Sequence, residues 1–390
     1  MSVSLSEATV IGLADELFRQ AIDRGASDVH LEPQSELFRV RYRIDGILRE
    51  IRNLPAKQGQ AVISRIKIIS ALDIGEKRKP QDGRFHLFHQ ERRIDLRVST
   101  MPTIHGEKVV ARILDKGQTD LFKLRGIGLS APNLKEFQDA LQRASGLLLI
   151  TGPTGSGKTT TLYAAMTSIN QAGKNIITVE DPVEYLINGI NQTQVNTKAG
   201  LTFAVSLRAI LRQDPDLIMV GEIRDKETAD VAVRAAVTGH LVLATMHTNN
   251  AAGAITRLID MGVEPYMVAA AVSLTTAQRL VRLNCPKCSQ AYALAEGAWE
   301  RFFLGLTPDQ PVTLFKGAGC PDCGGQGYRG RLALHEVLPM TAALRRQILE
   351  SPLTRETLYR SGQEANDLKK DGVRKILAGL TTVEEVSRVL

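Results

Sequence analysis

The sequence predicts an α/β protein preceded by a separate α+β region, and three observations carry that reading. Apolar runs at 147–151, 176–179, 217–220 and 241–245 are short, continuous and separated by helical stretches. That is the pattern of strands covered on both faces of a parallel sheet. Before residue 115, by contrast, apolar and polar positions alternate, as in half-exposed strands of hairpins. The periodicity fades between 115 and 130, and the chain's 390 residues exceed the roughly 100–200 of one domain. The expected organisation is therefore a domain over 1–115, a linker over 116–130 and a second domain over 131–390.

In order along the chain, Ile11, Ala14, Leu17, Phe18, Ala21 and Ile22 recur at helical spacing, which predicts one amphipathic helix over about 7–24. Phe38, Val40, Tyr42 and Ile44 then alternate with Arg39, Arg41 and Arg43, and Asp45-Gly46 supplies a tight turn into Ile47-Leu48. This predicts a β-hairpin with three arginines on one strand face. A second helix is expected over 57–72, then a turn at 79–83 and strands at 84–88 and 93–99.

The composition, 43% hydrophobic and 23% charged, excludes a disordered, collagen-like or disulfide-stapled chain. Apolar stretches such as 146–150 fall far short of the roughly 20 residues that span a bilayer, so any membrane association is expected to be peripheral. The start, Met1-Ser-Val-Ser-Leu-Ser-Glu, has no basic stretch followed by an apolar one, so no secretory signal and a place in the cytoplasm are expected. Residues 39–112 hold 17 basic and 8 acidic residues, a surplus larger than the chain's net +7. Such a surplus either faces an anion or serves as a solvated basic face that aids solubility.

Gly152, Pro153, Thr154, Gly155, Ser156, Gly157, Lys158 and Thr159 complete the phosphate-binding loop pattern, and they are expected to bind ATP together with Thr160 just behind them. The glycines let successive N–H groups turn toward phosphate, and the helix adds its positive N-terminus. Lys158 is positioned for the β- and γ-phosphates of ATP, and the Thr159 hydroxyl for Mg²⁺.

Hydrolysis further needs a carboxylate that orients water, and cations around the γ-phosphate. Glu222 ends the apolar run at 217–220 and is the expected water-activating residue, although Gly221 stands where many such enzymes carry a Mg²⁺-holding Asp. Glu180, Asp181 and Glu184 follow the run at 176–179 and place three carboxylates at the edge where open α/β sheets bind ligands. His240 and His247 flank the run at 241–245, and a γ-phosphate sensor is expected there. Cys285, Cys288, Cys320 and Cys323 form two C-x-x-C pairs with 31 residues between them, four thiolates that suit one closed Zn²⁺ site. Disulfides are the alternative, disfavoured in a cytoplasmic chain with no unpaired Cys. The insert between the pairs looks too small to bury much core, so the metal is expected to fold it.

Taken together these segments resemble the secretion-ATPase superfamily, and more narrowly the type II secretion and type IV pilus assembly ATPases. In those terms 152–159 is the Walker A loop, 177–185 is similar to the family's Asp box, 214–225 to its atypical Walker B and 238–248 to its His box. The likeness extends through Ala26-Ser-Asp-Val-His-Leu-Glu32, Arg41-Tyr-Arg-Ile-Asp-Gly46, Pro80-Gln-Asp-Gly-Arg84 and Gly106-Glu-Lys-Val-Val-Ala-Arg112. The resemblance implies a PAS-like α+β domain, a linker, a RecA-like P-loop NTPase domain with a small zinc-binding module over 285–330, and a ring of six chains. It implies that Arg97 and Arg112, fifteen positions apart, reach the nucleotide, with Arg208 and Arg212 as further family arginines. The family's additional N-terminal domain, which docks on a membrane platform protein, has no counterpart ahead of Leu5. Its tetracysteine module belongs to the secretion and assembly branch, which argues for extension rather than retraction.

The implied function is an ATP-hydrolysing motor that assembles a pseudopilus or pilus, peripheral on the cytoplasmic face of the bacterial inner membrane and partnered by platform proteins. Two other classes compete. A RecA-like nucleic-acid translocase would use the basic region on DNA, but aromatics amount to 5% and do not interleave with the basic positions, so no nucleic acid is expected. A nucleotide-bound scaffold without turnover conflicts with the presence of Glu222 and Glu184.

Overall fold

The structure, a computed structural model, describes residues 7–115, 123–307, 310–350 and 367–390. The chain divides into two compact units, Met1–Thr119 and Asp120–Leu390.

In the first unit, helix α1 (Glu7–Asp23) leads into β1 (Ala26–Pro33), β2 (Leu37–Ile44), β3 (Ile47–Pro55), helix α2 (Ala56–Ile69), β4 (Gln81–His89), β5 (Arg92–Thr103) and β6 (Gly106–Asp115). The strands form one sheet in the order β3-β2-β1-β6-β5-β4. Alternation sorts its faces: Val29, Leu31, Val40, Tyr42, Leu96 and Ala111 pack with Leu17 and Phe18 of α1 and Ile63 and Ile66 of α2. The turn between β2 and β3 has Asp45 and Gly46 at φ 49° and 84°, the left-handed pair that a two-residue hairpin requires. The turn expected at 79–83 is shorter than the sequence suggests, because β4 begins at Gln81 and takes in Asp82 and Gly83. A Cβ on Gly83 would lie 2.5 Å from the Ser70 carbonyl oxygen, so this glycine permits a close approach of α2's end rather than a turn.

The opposite face carries charge in register. Asp28 pairs across to both Arg43 and Arg112, Arg112 to Arg97, and Arg97 to Arg84, so one row across five strands holds four arginines around one carboxylate. Beside it Glu32 receives Arg39, Arg41 and Lys108 at 3.1, 2.7 and 3.0 Å. Against the cost of burial, hydrogen bonds from Arg41 and Lys108 hold its carboxyl down at about 2.

The second unit contains α3 (Ala131–Leu141), β7 (Gly146–Thr151), α4 (Lys158–Ile169), β8 (Ile176–Glu180), β9 (Asn191–Gln194), α5 (Phe203–Ile210), β10 (Leu217–Val220), α6 (Lys226–Val237), β11 (Leu241–Met246), α7 (Ala251–Asp260), α8 (Pro265–Ala271) and β12 (Val272–Asn284). After these come β13 (Ser289–Ala293), α9 (Trp299–Leu304), β14 (Thr313–Gly317), β15 (Tyr328–Pro339), α10 (Ala342–Glu350) and helices Leu368–Leu377 and Val383–Val389. Seven strands order as β15-β12-β7-β11-β10-β8-β9, parallel except for β15 at one edge. Leu147 and Leu149 bury toward α5–α8, and Leu148 and Ile150 toward α3 and α4, which explains the unbroken apolar runs.

Of the stretch expected as linker, residues 116–122 lie outside the described residues. Leu124 and Ile127 are buried in the second unit's core, so that half of the stretch is packed. Strands β13 and β14 pair separately in the cysteine-bearing insert. The insert also corrects an expectation. Leu294, Leu304 and Leu314 are buried with Val281, Leu334 and residues of the last two helices. The buried Arg301 donates to the carbonyls of Leu294, Ala295, Thr307 and Gln310. A metal is therefore not the insert's sole source of order.

Candidate active site

Strand β7 ends at Thr151, and the chain curls through 152–157 before α4 begins at Lys158. Gly152, Gly155 and Gly157 take φ of 145°, 78° and 89°. Gly152 is constrained twice, since a Cβ there would sit 2.6 Å from both the Gln278 carbonyl oxygen and Ser156 Oγ. Pro153, Thr154 and Gly155 are exposed, as is Thr159 at the head of α4, while Thr160 is half-buried. Lys158 Nζ donates to the carbonyls of Gly152 and Pro153 at 2.7 and 3.1 Å. Burial lowers the lysine's pKa, the Glu222 carboxylate opposes the shift, and the Arg279 guanidinium adds to it. Ser156 Oγ is buried without a hydrogen-bond partner. A curled loop with an exposed helix N-terminus, a lysine resting on its own carbonyls and an orphaned hydroxyl fits the phosphates of a nucleotide.

Because β7, β11, β10 and β8 are parallel and in register, their carboxyl ends share one edge. Glu222 lies two residues past β10, and its carboxylate accepts from Arg224 Nε at 2.6 Å and sits 2.7 Å from His247 Nε2. The segment is pinned by Thr245, whose hydroxyl donates to the Gly221 carbonyl at 2.6 Å and whose carbonyl accepts from the Ile223 N–H at 2.9 Å. A Cβ on Gly221 would lie 3.3 Å from the Val179 carbonyl oxygen and Glu180 Cα, so a side chain there would crowd the end of β8 and need its backbone to give by a few tenths of an ångström.

The other carboxylates separate by environment. Glu180 is buried and committed to its own sheet and to α4, accepting from Thr178 Oγ1 at 2.7 Å, Gln192 Nε2 at 3.0 Å and the Tyr163 hydroxyl. The same phenol accepts the Glu184 N–H at 3.3 Å and has its own pKa pushed up by burial and by Glu180. Asp181 is exposed, 3.9 Å from Arg224 Nη1. His240 corrects an expectation. It precedes Leu241, which pairs with Gly146 at the start of β7, so within one chain it lies at the opposite end of β11 from the phosphate loop. Its Nδ1 lies 3.2 Å from the Ala235 carbonyl.

Arg208 pairs with Glu227 of α6 at 2.8 Å, and Arg212 donates to the Arg208 carbonyl at 2.8 Å. Arg97 and Arg112 belong to the first unit, directly opposed on β5 and β6, with Arg112 Nε 3.0 Å from Asp28 Oδ1. Sequence reading missed Gln278 and Arg279, which β12 carries to the phosphate loop's flank. The signal was present: a Gln-Arg pair at the centre of a strand that runs over Val272–Asn284, where Gln278 is buried and Arg279 half-buried.

The four cysteines converge. Cys285, Cys288, Cys320 and Cys323 place their Sγ atoms within 4.8 Å of one another, the group of metal-ligating type found among the described residues. Three of the separations, Cys285–Cys320, Cys288–Cys323 and Cys320–Cys323, are 3.8, 3.8 and 3.7 Å. A tetrahedron with Zn–S bonds of about 2.3 Å has edges of about 3.8 Å, so the thiol set fits Zn²⁺ and none of its members is in a disulfide. Cys323 Sγ further receives N–H groups of Cys320 and Gly327 at 3.1 and 3.2 Å, donors suited to a thiolate.

Fold and site define a P-loop nucleotide-binding α/β protein with an appended tetrathiol module. The match to the type II/IV secretion system protein family runs over residues 4–388, and the chain belongs to that family. It is 48% identical over 383 residues to type II secretion system protein E of Pseudomonas aeruginosa, covering 98% of this chain and 76% of that protein. It is 46% identical over 398 residues to type IV pilus assembly ATPase PilB of Myxococcus xanthus, covering 99% of this chain and 69% of that protein. Among solved structures, the pilus retraction motor PilT with bound ADP aligns at a TM-score of 0.64 and 27% identity, covering 96% of each chain.

Proposed function

We propose that the chain is an ATP-hydrolysing motor that powers assembly of a type II secretion pseudopilus or a type IV pilus. The observation that carries the reading is one sheet edge that holds the phosphate loop together with Glu222 clamped between Arg224 and His247. Family membership supports the same reaction class, since the relatives matched here include a secretion ATPase and a pilus assembly ATPase.

In this reading Lys158 leaves the Gly152 and Pro153 carbonyls for the β- and γ-phosphates, and the loop's N–H groups and Ser156 Oγ take up phosphate oxygens. Thr159 Oγ1 would hold Mg²⁺, which would supply positive charge to the phosphates. Glu222 orients the attacking water and receives its proton, and Arg224 and His247 fix the carboxylate's direction. His247 reports the γ-phosphate to the strand end that it shares with Glu222. Arg97 and Arg112 supply cations to the developing charge on domain closure, in a ring of six copies.

No described helix is long and apolar enough to cross a membrane. A place on the cytoplasmic face of the inner membrane, against platform proteins, accords with that and with the family. The test is steady-state ATPase activity of the full chain beside Glu222→Gln, followed by complementation of a strain lacking the gene. Absence of phosphate release by the wild type under assembly conditions would overturn the reading.

A further inference from the structure

Two consecutive residues of β12, Gln278 and Arg279, hold the two halves of the site from opposite faces of the sheet. Successive strand residues project to opposite sides. Gln278 points to the α4 side, where its Nε2 donates to the Ser156 carbonyl at 2.6 Å and its Oε1 accepts from Thr161 Oγ1 at 2.9 Å. It is fully buried, and its own carbonyl oxygen presses on Gly152. One amide thus bridges the phosphate loop and the first turn of α4. Arg279 points to the α7 side, where Nη2 donates to the Asn249 carbonyl at 2.8 Å and Nη1 to the Gln278 carbonyl at 3.1 Å. Asn249 lies two residues past His247, in the connection from β11 to α7. The same face presents Glu336 of β15, whose Oε2 accepts the Ala251 N–H at 3.1 Å.

We infer that Gln278 and Arg279 are positioning residues with separable duties, Gln278 setting the phosphate loop for nucleotide binding and Arg279 setting the His247 loop for turnover. The inference rests on the proposed ATPase reading. A loop that must present several N–H groups to phosphate binds less tightly when it also samples other conformations, because the ordering cost falls on the binding step. Misplacing His247 leaves the phosphate loop's own contacts intact but relaxes the direction of the Glu222 carboxylate, where small displacements are costly to the chemical step.

The experiment compares Gln278→Met, Arg279→Met and Arg279→Lys in the full chain, by the Kd for a fluorescent ADP analogue and by kcat and KM for ATP. Zinc content and thermal midpoint accompany each variant. Gln278→Met is expected to raise Kd and KM about tenfold, the scale of one lost hydrogen bond to a binding loop, with the smaller change in kcat. Arg279→Met is expected to lower kcat about tenfold or more with Kd shifted less than about threefold, and Arg279→Lys to recover part of the loss. Equal losses of binding and turnover in both variants, with lowered thermal midpoints, would reduce the pair to fold support. A weakened Kd in Arg279→Met would make Arg279 a phosphate contact and overturn its positioning duty, and unchanged constants would overturn both. ADP-analogue binding is measured without hydrolysis, so an inactive wild type would sink the ATPase reading separately.

Discussion

His247 Nε2 lies 2.7 Å from Glu222 Oε1, joining the ends of two parallel strands whose register, Val220 opposite Ala244, fixes where each side chain emerges. The carboxylate is consequently held from two sides, by the imidazole and by Arg224. A carboxylate oriented this way suits a water-directing role, because each oxygen has one partner that fixes its direction and keeps a further lone pair for water.

Glu222→Gln should therefore keep nucleotide affinity and lose hydrolysis by about 10²-fold or more, the usual weight of a positioned acid–base group. Phosphate release at saturating ATP, alongside a direct binding titration, is the measurement. Near-wild-type turnover would transfer the role to Glu184.

Lys158→Ala should act at the opposite step. The lysine already rests on the loop's carbonyls, with its charge destabilised by burial, so a phosphate offers it a better partner than those carbonyls do. Affinity for ATP should fall by about tenfold or more, the cost of a charged hydrogen bond at a partly buried site. An unchanged Kd would show that the backbone N–H groups alone hold the phosphates.

Much of this arrangement is legible in the sequence. The phosphate loop is contiguous, so its glycines and lysine declare themselves in eight residues. The parallel strands declared themselves through unbroken apolar runs that only two-sided burial explains. What the sequence did not disclose depends on register between distant segments. The row Arg43, Asp28, Arg112, Arg97, Arg84 exists only because four strand pairings align. His240 flanks β11 in sequence as closely as His247 does, yet parallel pairing sends it to the far end. Strands β1 and β6 drew no strand reading of their own, although they occupy the centre of the first sheet.

The arginines of that row lead to a third expectation. If the proposed function holds, Arg97→Ala or Arg112→Ala should bind ATP nearly normally and hydrolyse it far more slowly, because in that proposal their charge acts on the transition state rather than on the bound nucleotide. Co-assembling an inactive Arg112→Ala chain with an inactive Glu222→Gln chain tests whose site the arginine serves. Recovered activity in verified mixed rings means a neighbour's site, and none means action within the chain.

Glu336 supplies a pH-dependent expectation. Burial pushes its carboxyl up to about 7 and Asp367 adds to the rise, while the Ala251 N–H and Arg279 oppose it. An acid with a raised folded pKa costs nothing below its unfolded value of 4.5. Above that value the unfolded chain releases the proton first, so stability falls as pH climbs toward 7 and then levels. Glu336→Gln keeps an acceptor for Ala251 and removes the cost, about 3 kcal/mol at pH 8 and little at pH 4.5. Chemical denaturation at both pH values decides it, and an equal effect at the two would show that burial is not what holds the proton.

Removing the metal gives the last expectation. Four Sγ atoms at tetrahedral spacing should hold one Zn²⁺ per chain, fully ligated and with no open position for catalysis. Cys320→Ser should lose the ion and loosen the Cys285–Cys288 and Cys320–Cys323 turns. It should leave much of the insert in place, because Leu294, Leu304 and Leu314 are anchored to the last two helices and Arg301 ties four carbonyls together. The phosphate loop draws on the separate packing of β7 and α4, so ADP-analogue binding should change less than about twofold, within the range of independent sites. Atomic emission on freshly purified reduced protein reads the ion, and hydrogen exchange reads the insert. Less than about half an equivalent of zinc in the wild type would reject the site, and collapse of protection across residues 289–317 in Cys320→Ser would show that the metal, rather than the apolar anchors, orders the module.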